Sequence, residues 1–180
     1  YTQSLQYMND SLATYRETAD LRGEARVLNN IANIYDIRGD YEPALSNHQR
    51  SLELSQQLGD QLGIGMSYNN IGFIAYQEGN YEQAQASIEQ SLKINNVIGN
   101  QRGQAANYST LGEIHFEKGD FARARAYQLD SLTIRRVTGH KLGVVISLYD
   151  LGLCAYAEGD YALAQQYIDE SLTLSQSIDN

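Results

Sequence analysis

The stretch YNNIGFIAYQEGNYEQAQASIEQSL, residues 68–92, decides the fold because it contains two helical patterns and the turn between them. Apolar residues return at intervals of three and four, as on one face of a helix: Tyr68, Ile71 and Ala75, then Ala84, Ile88 and Leu92. Gly79 suits a helix end because glycine adopts the left-handed conformation, and Asn80 suits the first position of the next helix. The stretch therefore predicts a helical hairpin.

The same pattern returns every 40 residues along the 180-residue chain. Three sets of positions share this period: Asp20, Asp60, Asn100 and His140; Gly39, Gly79, Gly119 and Gly159; Ser11, Ser51, Ser91, Ser131 and Ser171. We predict a single array over residues 1–180, with full repeats at 21–60, 61–100, 101–140 and 141–180. Residues 1–20 form the second helix of a truncated repeat. The predicted fold class is all-α, with stacked antiparallel helix pairs.

Composition excludes several classes of function. The formal net charge of −9 disfavours binding to nucleic acid or to an anionic membrane, since both require basic residues. The sequence shows neither a membrane span nor a secretory signal, so we expect a cytoplasmic protein. We expect no cofactor and no metal, because His, Cys and carboxylate residues lack metal-ligand spacing and every glycine belongs to the repeat. A catalytic constellation is also missing, so we expect no enzyme.

The repeated residues resemble the tetratricopeptide repeat (TPR). The resemblance rests on Leu111-Gly112, Gly119, Phe121, Ala124 and Ser131-Leu132, and on the equivalent positions one repeat earlier. The 40-residue unit is similar to the subclass found in kinesin light chain and in Pins/LGN adaptors, and to arrays in large bacterial signalling proteins. The resemblance implies a right-handed superhelix whose first helices line a concave face. It also implies a protein-binding function, with a peptide or protein segment as ligand.

Residues on the predicted groove face of the first helices are the candidate peptide contacts. They are Arg26, Asn29, Asn30, Asn33, Asn69, Asn70, Phe73, Tyr76, Glu113, Phe116, Tyr149, Asp150 and Tyr156. Asparagine both donates and accepts, so Asn30 and Asn70 are expected to bond the backbone of an extended peptide. These asparagines are alternatively solvated or bonded between helices. The chaperone-type carboxylate clamp is not expected, because Ala106 and Thr110 stand where it needs cations.

Two other surfaces offer alternatives. Arg123, Arg125, Arg135 and Arg136 lie on one second helix, where we expect a solvated face or a docking surface for an acidic partner. Leu172, Leu174 and Ile178 would expose an apolar face on the last helix, and neither end has a polar cap. The array would then act as a structural spacer or a self-association surface in a multidomain regulator.

Overall fold

The computed structural model describes residues 2–178, and within them nine α-helices and no strand are present. The helices are α1 (Thr2–Glu17), α2 (Leu21–Ile37), α3 (Tyr41–Leu58), α4 (Gln61–Gln77), α5 (Tyr81–Ile98), α6 (Gln101–Glu117), α7 (Phe121–Val137), α8 (Lys141–Ala157) and α9 (Tyr161–Ile178). The all-α class and the packing of helices in consecutive pairs are confirmed. The chain divides into two compact units, residues 1–94 and 95–180.

The helix boundaries follow from capping residues in the sequence. The side chains of Asp20, Asp60 and Asn100 accept hydrogen bonds from backbone N–H groups three residues later, at 2.9, 3.1 and 3.2 Å. Each bond satisfies a donor that the first turn of a helix leaves free. Gly59, at φ +66°, closes α3 in the left-handed conformation, which glycine adopts without strain.

A hydrogen bond between the two helices of each pair repeats through the chain. The buried hydroxyls of Ser51, Ser91, Ser131 and Ser171 donate to the carbonyls of Ala25, Gly65, Ala105 and Val145. The distances are 2.8–2.9 Å, and each pair is 26 residues apart. Each of these serines therefore makes a fixed contact that sets the register of the second helix on the first.

The helices approach closely where the sequence places small residues. A Cβ added at Gly72 would lie 2.8 Å from Ile88 Cδ1 and 3.1 Å from the Ala84 carbonyl oxygen. At Gly152 it would lie 2.6 Å from Ile168 Cδ1. Real Cβ atoms are essentially never found within 3.0 Å of such atoms, so the interpretation of these glycines as a steric requirement is confirmed.

A second set of glycines leaves space for the residue eight positions earlier. A Cβ on Gly63, Gly103 or Gly143 would meet the side chain of Ser55, Asn95 or Arg135, at 2.5–2.8 Å. The Arg135 side chain fills this space, and its Nη1 donates to the Gly143 carbonyl at 2.9 Å and to Ser147 Oγ at 2.8 Å. Arg135 is buried, so the prediction of a solvated position was wrong for this arginine.

The other three arginines of that helix lie nearer the surface and are paired. Arg123 lies 3.4 Å from Asp120, Arg125 lies 3.2 Å from Glu158, and Arg136 lies 2.6 Å from Glu170. The expectation for the last helix is correct for Leu172 and Ile178, which are exposed. It is wrong for Leu174, which packs against the core cluster around Leu148 and Leu151.

His48 occupies a fully buried position in the first unit. Its Nδ1 lies 3.1 Å from Asn29 Oδ1, which only accepts, so Nδ1 carries the proton. Its Nε2 is buried and accepts from no donor among the described residues. Burial lowers the pKa of His48 to about 4, because a charged imidazolium would lose its hydration. The equivalent residues one and three repeats later are Ile88 and Ile168.

Replacing Ser51 by alanine should lower the free energy of unfolding by about 1 kcal/mol, because the inter-helix hydrogen bond to Ala25 is lost. Ser11 is the matched control, since its exposed hydroxyl donates to Tyr7 within the same helix. We expect Ser11→Ala to change stability by less than about 0.5 kcal/mol. Urea denaturation followed by circular dichroism compares the two. Equal losses of unfolding free energy in Ser51→Ala and Ser11→Ala would contradict a stabilising role for the inter-helix hydrogen bond.

Replacing His48 by isoleucine should make stability less sensitive to acid. The folded-state pKa of about 4 lies below the ordinary value of 6.5, so between these values the unfolded chain binds a proton that the folded chain excludes. The contribution of neutral His48 to the free energy of unfolding is fully present above pH 6.5 and is lost as the pH falls towards 4. Between about pH 7 and pH 5, the wild type should lose about 2 kcal/mol more than His48→Ile. Parallel curves of unfolding free energy against pH would contradict this assignment.

Candidate functional site

The candidate contacts on α2 and α4 lie in the first unit, on the surface where these two helices meet. Arg26 and Asn30 are exposed, whereas Asn33 and Asn70 are half-buried. Asn29 is only 8% exposed, which places it beneath this surface rather than on it. A ligand can therefore reach Arg26, Asn30, Asn33 and Asn70, whereas Asn29 supports this surface from beneath.

The asparagines on this surface bind one another. Asn70 Nδ2 donates to Asn29 Oδ1 at 3.0 Å and to Asn33 Oδ1 at 3.4 Å, and Asn69 Nδ2 donates to Asn70 Oδ1 at 3.3 Å. With His48 below Asn29, these residues form an amide network that joins α2, α3 and α4. The network favours the helix–helix alternative for Asn29 and for Asn70, because their side chains bind each other between α2 and α4. It holds the Asn70 amide in a fixed orientation against Asn29 and Asn33 of α2.

A pocket of about 280 Å³ opens between α2 and α4, next to this network. Its lining consists of Arg22, Ala25, Arg26, Asn29, Asn30, Ser51, Ser55, Asp60, Leu62, Gly63, Met66 and Ser67. Leu62 and Met66 are about half exposed, so the pocket offers apolar contact next to two arginines. Arg26 Nη2 lies 3.5 Å from Tyr15 Oη, at the limit of a hydrogen bond. Sequence reasoning missed Arg22 and Leu62 because they lie in the first turns of α2 and α4, ahead of the positions from which the groove face was predicted.

Aromatic residues continue along α4. The rings of Phe73 and Tyr76 lie 6.3 Å apart between centroids, and the ring of Tyr76 lies 6.1 Å from that of Tyr81. All three are half-buried. The predicted contacts Phe73 and Tyr76 therefore pack against neighbouring rings and remain partly accessible to a ligand.

The candidate contacts of the second unit lie on α6 and α8. Phe116 packs on Phe121 and Tyr156 on Tyr161, with centroid separations of 5.2 and 5.3 Å. Phe116 is half-buried, whereas Tyr156 and Tyr149 are exposed. The two tyrosines present aromatic rings that a ligand can contact.

Glu113 and Asp150 are half-buried carboxyl groups on neighbouring first helices. Burial raises the pKa of Glu113 to about 7, and the charge of Asp150 adds to this effect. Burial likewise raises the pKa of Asp150 to about 6, against the opposing charge of Arg135. Asp150 Oδ2 is buried and accepts from no donor among residues 2–178. Each carboxyl group is therefore more easily protonated than an exposed one.

The described residues show neither a metal-binding cluster nor a reactive thiol. No group of three His, Cys, Asp or Glu side chains within it is placed to hold a metal ion. Cys154 is buried, and burial raises the pKa of its thiol to about 11, which keeps it protonated. None of the described helices is long and apolar enough to span a membrane.

Comparison with solved structures shows the same fold in other proteins. BtubC (BKLC) from P. vanneervenii has a TM-score of 0.82 at 19% identity, over 99% of this chain and 77% of that one. The apo form of RapI has a TM-score of 0.82 at 12% identity, over 98% of this chain and 72% of that one. Putative kinesin light chain repeats of Podosopora anserina have a TM-score of 0.75 at 13% identity, over 99% and 88% of the two chains.

Sequence comparison gives the family. No curated protein matches the chain. The family model described as tetratricopeptide repeat matches residues 1–57, 63–136 and 103–177, which together span most of the sequence. The structure repeats with the same family pattern. Each repeat has a buried serine, small residues between paired helices and a capped turn. The chain belongs to the tetratricopeptide repeat family.

Proposed function

We propose that this chain is a non-catalytic protein–protein interaction module that holds a segment of another protein on the faces of its first helices. In the first unit the proposed contacts are Arg26, Asn30, Asn33, Asn69, Asn70, Phe73 and Tyr76, with Asn29 as support. In the second unit they are Glu113, Phe116, Tyr149, Asp150 and Tyr156. The module would serve within a larger signalling or scaffold protein, in keeping with the arrays that its sequence resembles.

The pocket between α2 and α4 is the observation that carries this proposal. It combines exposed Arg26 and Asn30 with the apolar side chains of Leu62 and Met66. Such a mixture suits a peptide whose polar backbone and apolar side chains are both held. The amide network fixes Asn29, one of the lining residues, before a ligand arrives, so ordering this side chain costs no entropy on binding.

Selection of peptides from a display library on the folded chain tests the proposal. For a selected peptide, Arg26→Ala with Asn30→Ala should weaken binding by at least about tenfold, because both side chains line the pocket. Gln49→Ala with Arg50→Ala is the matched control, since it removes one side-chain amide and one arginine from exposed positions on α3 that do not line the pocket. Isothermal titration calorimetry gives the dissociation constants. Unchanged binding in the pocket variant, with its circular dichroism intact, would refute this site.

A structural role is the alternative, favoured by the exposed apolar residues Leu172 and Ile178 on α9. In this case the chain would associate with itself through α9. Analytical ultracentrifugation should then show a dimer that Leu172→Asp converts to a monomer. A monomer over a wide concentration range would exclude the alternative.

A further inference from the structure

The pocket between α2 and α4 opens at a position where the other repeats place a larger side chain of their own. Its lining includes Ser55 and, eight residues later, Gly63. The residues equivalent to Ser55 are Tyr15, Asn95 and Arg135, and each of their side chains lies over the glycine eight positions after it. Serine is the smallest of these four side chains. The pocket therefore opens where a small residue replaces a large one.

Asn95 and Arg135 show which chemistry this position holds. Asn95 Nδ2 donates to Asn107 Oδ1 at 2.8 Å. Arg135 Nη1 donates to the Gly143 carbonyl at 2.9 Å and to Ser147 Oγ at 2.8 Å. In both repeats the tip of the side chain therefore donates N–H groups to the first helix that follows it.

The two residues that accept from Arg135 have counterparts in the pocket lining two repeats earlier, Gly63 and Ser67. Ser67 is only 1% exposed, and Asp60 lies close by, with its Oδ2 3.0 Å from the position that a Cβ on Gly63 would take. A carbonyl and a hydroxyl oxygen each have two lone pairs, and the Asp60 carboxylate uses Oδ1 for the Gly63 N–H. All three groups therefore keep the capacity to accept from a ligand.

The carboxylates that accompany Arg135 have no charged counterparts beside the pocket. Burial lowers the pKa of Arg135, and the charges of Asp150 and Glu113 oppose this effect. The equivalent residues of the first unit are Asn70 and Asn33, which carry no charge. A guanidinium in the pocket would therefore lose its hydration without the two carboxylates that compensate for this loss in the second unit.

The rest of the lining favours a neutral side chain with an apolar stem. Arg22 and Arg26 are exposed on α2, and Asp60 is the single carboxylate among the described lining residues. A cation would meet net repulsion, and a carboxylate deep in the pocket would face Asp60. Leu62 and Met66 offer apolar contact to a stem. Glutamine has such a stem, and its amide both donates and accepts.

We propose that the pocket between α2 and α4 binds the side-chain carboxamide of a glutamine in the partner segment. The amide N–H groups donate to the Gly63 carbonyl and to Ser67 Oγ, and the amide oxygen faces Arg26. Asn95 is the precedent within this chain for an amide at the equivalent place. This assignment rests on the binding function proposed above and specifies the residue that anchors the segment in the first unit.

Single amino acids capped as N-acetyl methylamides test this preference on the intact 180-residue chain. The glutamine derivative is compared with those of methionine, glutamate and arginine, which replace the amide by an apolar, an anionic and a cationic group. In ¹H–¹⁵N NMR titrations the glutamine derivative should shift the backbone signals of Gly63 and Ser67, with a Kd at least about tenfold below the other three. Equal binding of any other derivative, or no shift with glutamine at millimolar concentration, would overturn the proposal.

A variant that fills the pocket from within the chain locates the site. Ser55→Asn places an amide where the next repeat has Asn95, so binding of the glutamine derivative should weaken by at least about tenfold. Ser46→Asn is the matched control, because it makes the same change at an exposed position on α3 that does not line the pocket. Undiminished binding in Ser55→Asn, folded by circular dichroism, would refute the location.

Ser67→Ala tests the acceptor and remains informative if Ser55→Asn does not fold. Val27 occupies the equivalent position one repeat earlier, so the fold accepts a residue without the hydroxyl there. Binding of the glutamine derivative should fall about fivefold, whereas the weaker binding of the methionine derivative should not change. Equal effects on the two derivatives would rule out the hydrogen bond to Ser67 and overturn the proposal.

The display selection described above separates failure of this assignment from failure of the proposed function. Selected peptides that need Arg26 and Asn30, contain no glutamine and bind Ser55→Asn as tightly as the wild type would overturn the assignment and leave the function intact. Binding of the glutamine derivative at Gly63 and Ser67, with no peptide selected, would support the amide site and refute the protein-binding function.

Discussion

The close contact between the two helices of each pair is the constraint on which the other features of each unit depend. A buried serine hydroxyl on the second helix donates to a carbonyl on the first, 26 residues earlier, in four successive pairs. Glycine or alanine on the first helix brings the backbones together, and Ile88, Gln128 or Ile168 fills the space over the glycine. This contact fixes which side of each first helix is buried. The opposite side is then free to vary between repeats.

The amide network of the first unit shows how this freedom is used. Position 29 is buried once α4 packs on α2, and the asparagine there must find partners inside the protein. It does so with Asn70 and His48, and the buried imidazole stays neutral. A polar network of this kind specifies one arrangement of the three helices more strictly than an apolar contact would. The same network leaves Asn30 and Arg26 on the surface, beside the pocket.

The sequence predicts the helices, their turns and the small-residue contacts well, because each depends on local patterns repeated at a fixed interval. It predicts the candidate surfaces only partly. Asn29 and Asn30 are neighbours with the same side chain, and their different burial depends on a helix 40 residues away. Arg135 is a second example, because its charge predicts an exposed side chain, whereas the structure buries it. The signal that could have placed it is Gly143, eight residues later, which leaves space for the residue at position 135.

The two units present different chemistry on the same structural plan. The first offers Arg22 and Arg26 around a pocket with apolar walls, and the second offers aromatic and aliphatic residues beside Glu113 and Asp150. The pKa values of about 7 for Glu113 and about 6 for Asp150 mean that the second unit loses negative charge on α6 and α8 as the pH falls through this range. The difference arises entirely on the variable sides of the first helices, because the serine and glycine contacts between paired helices are common to both units.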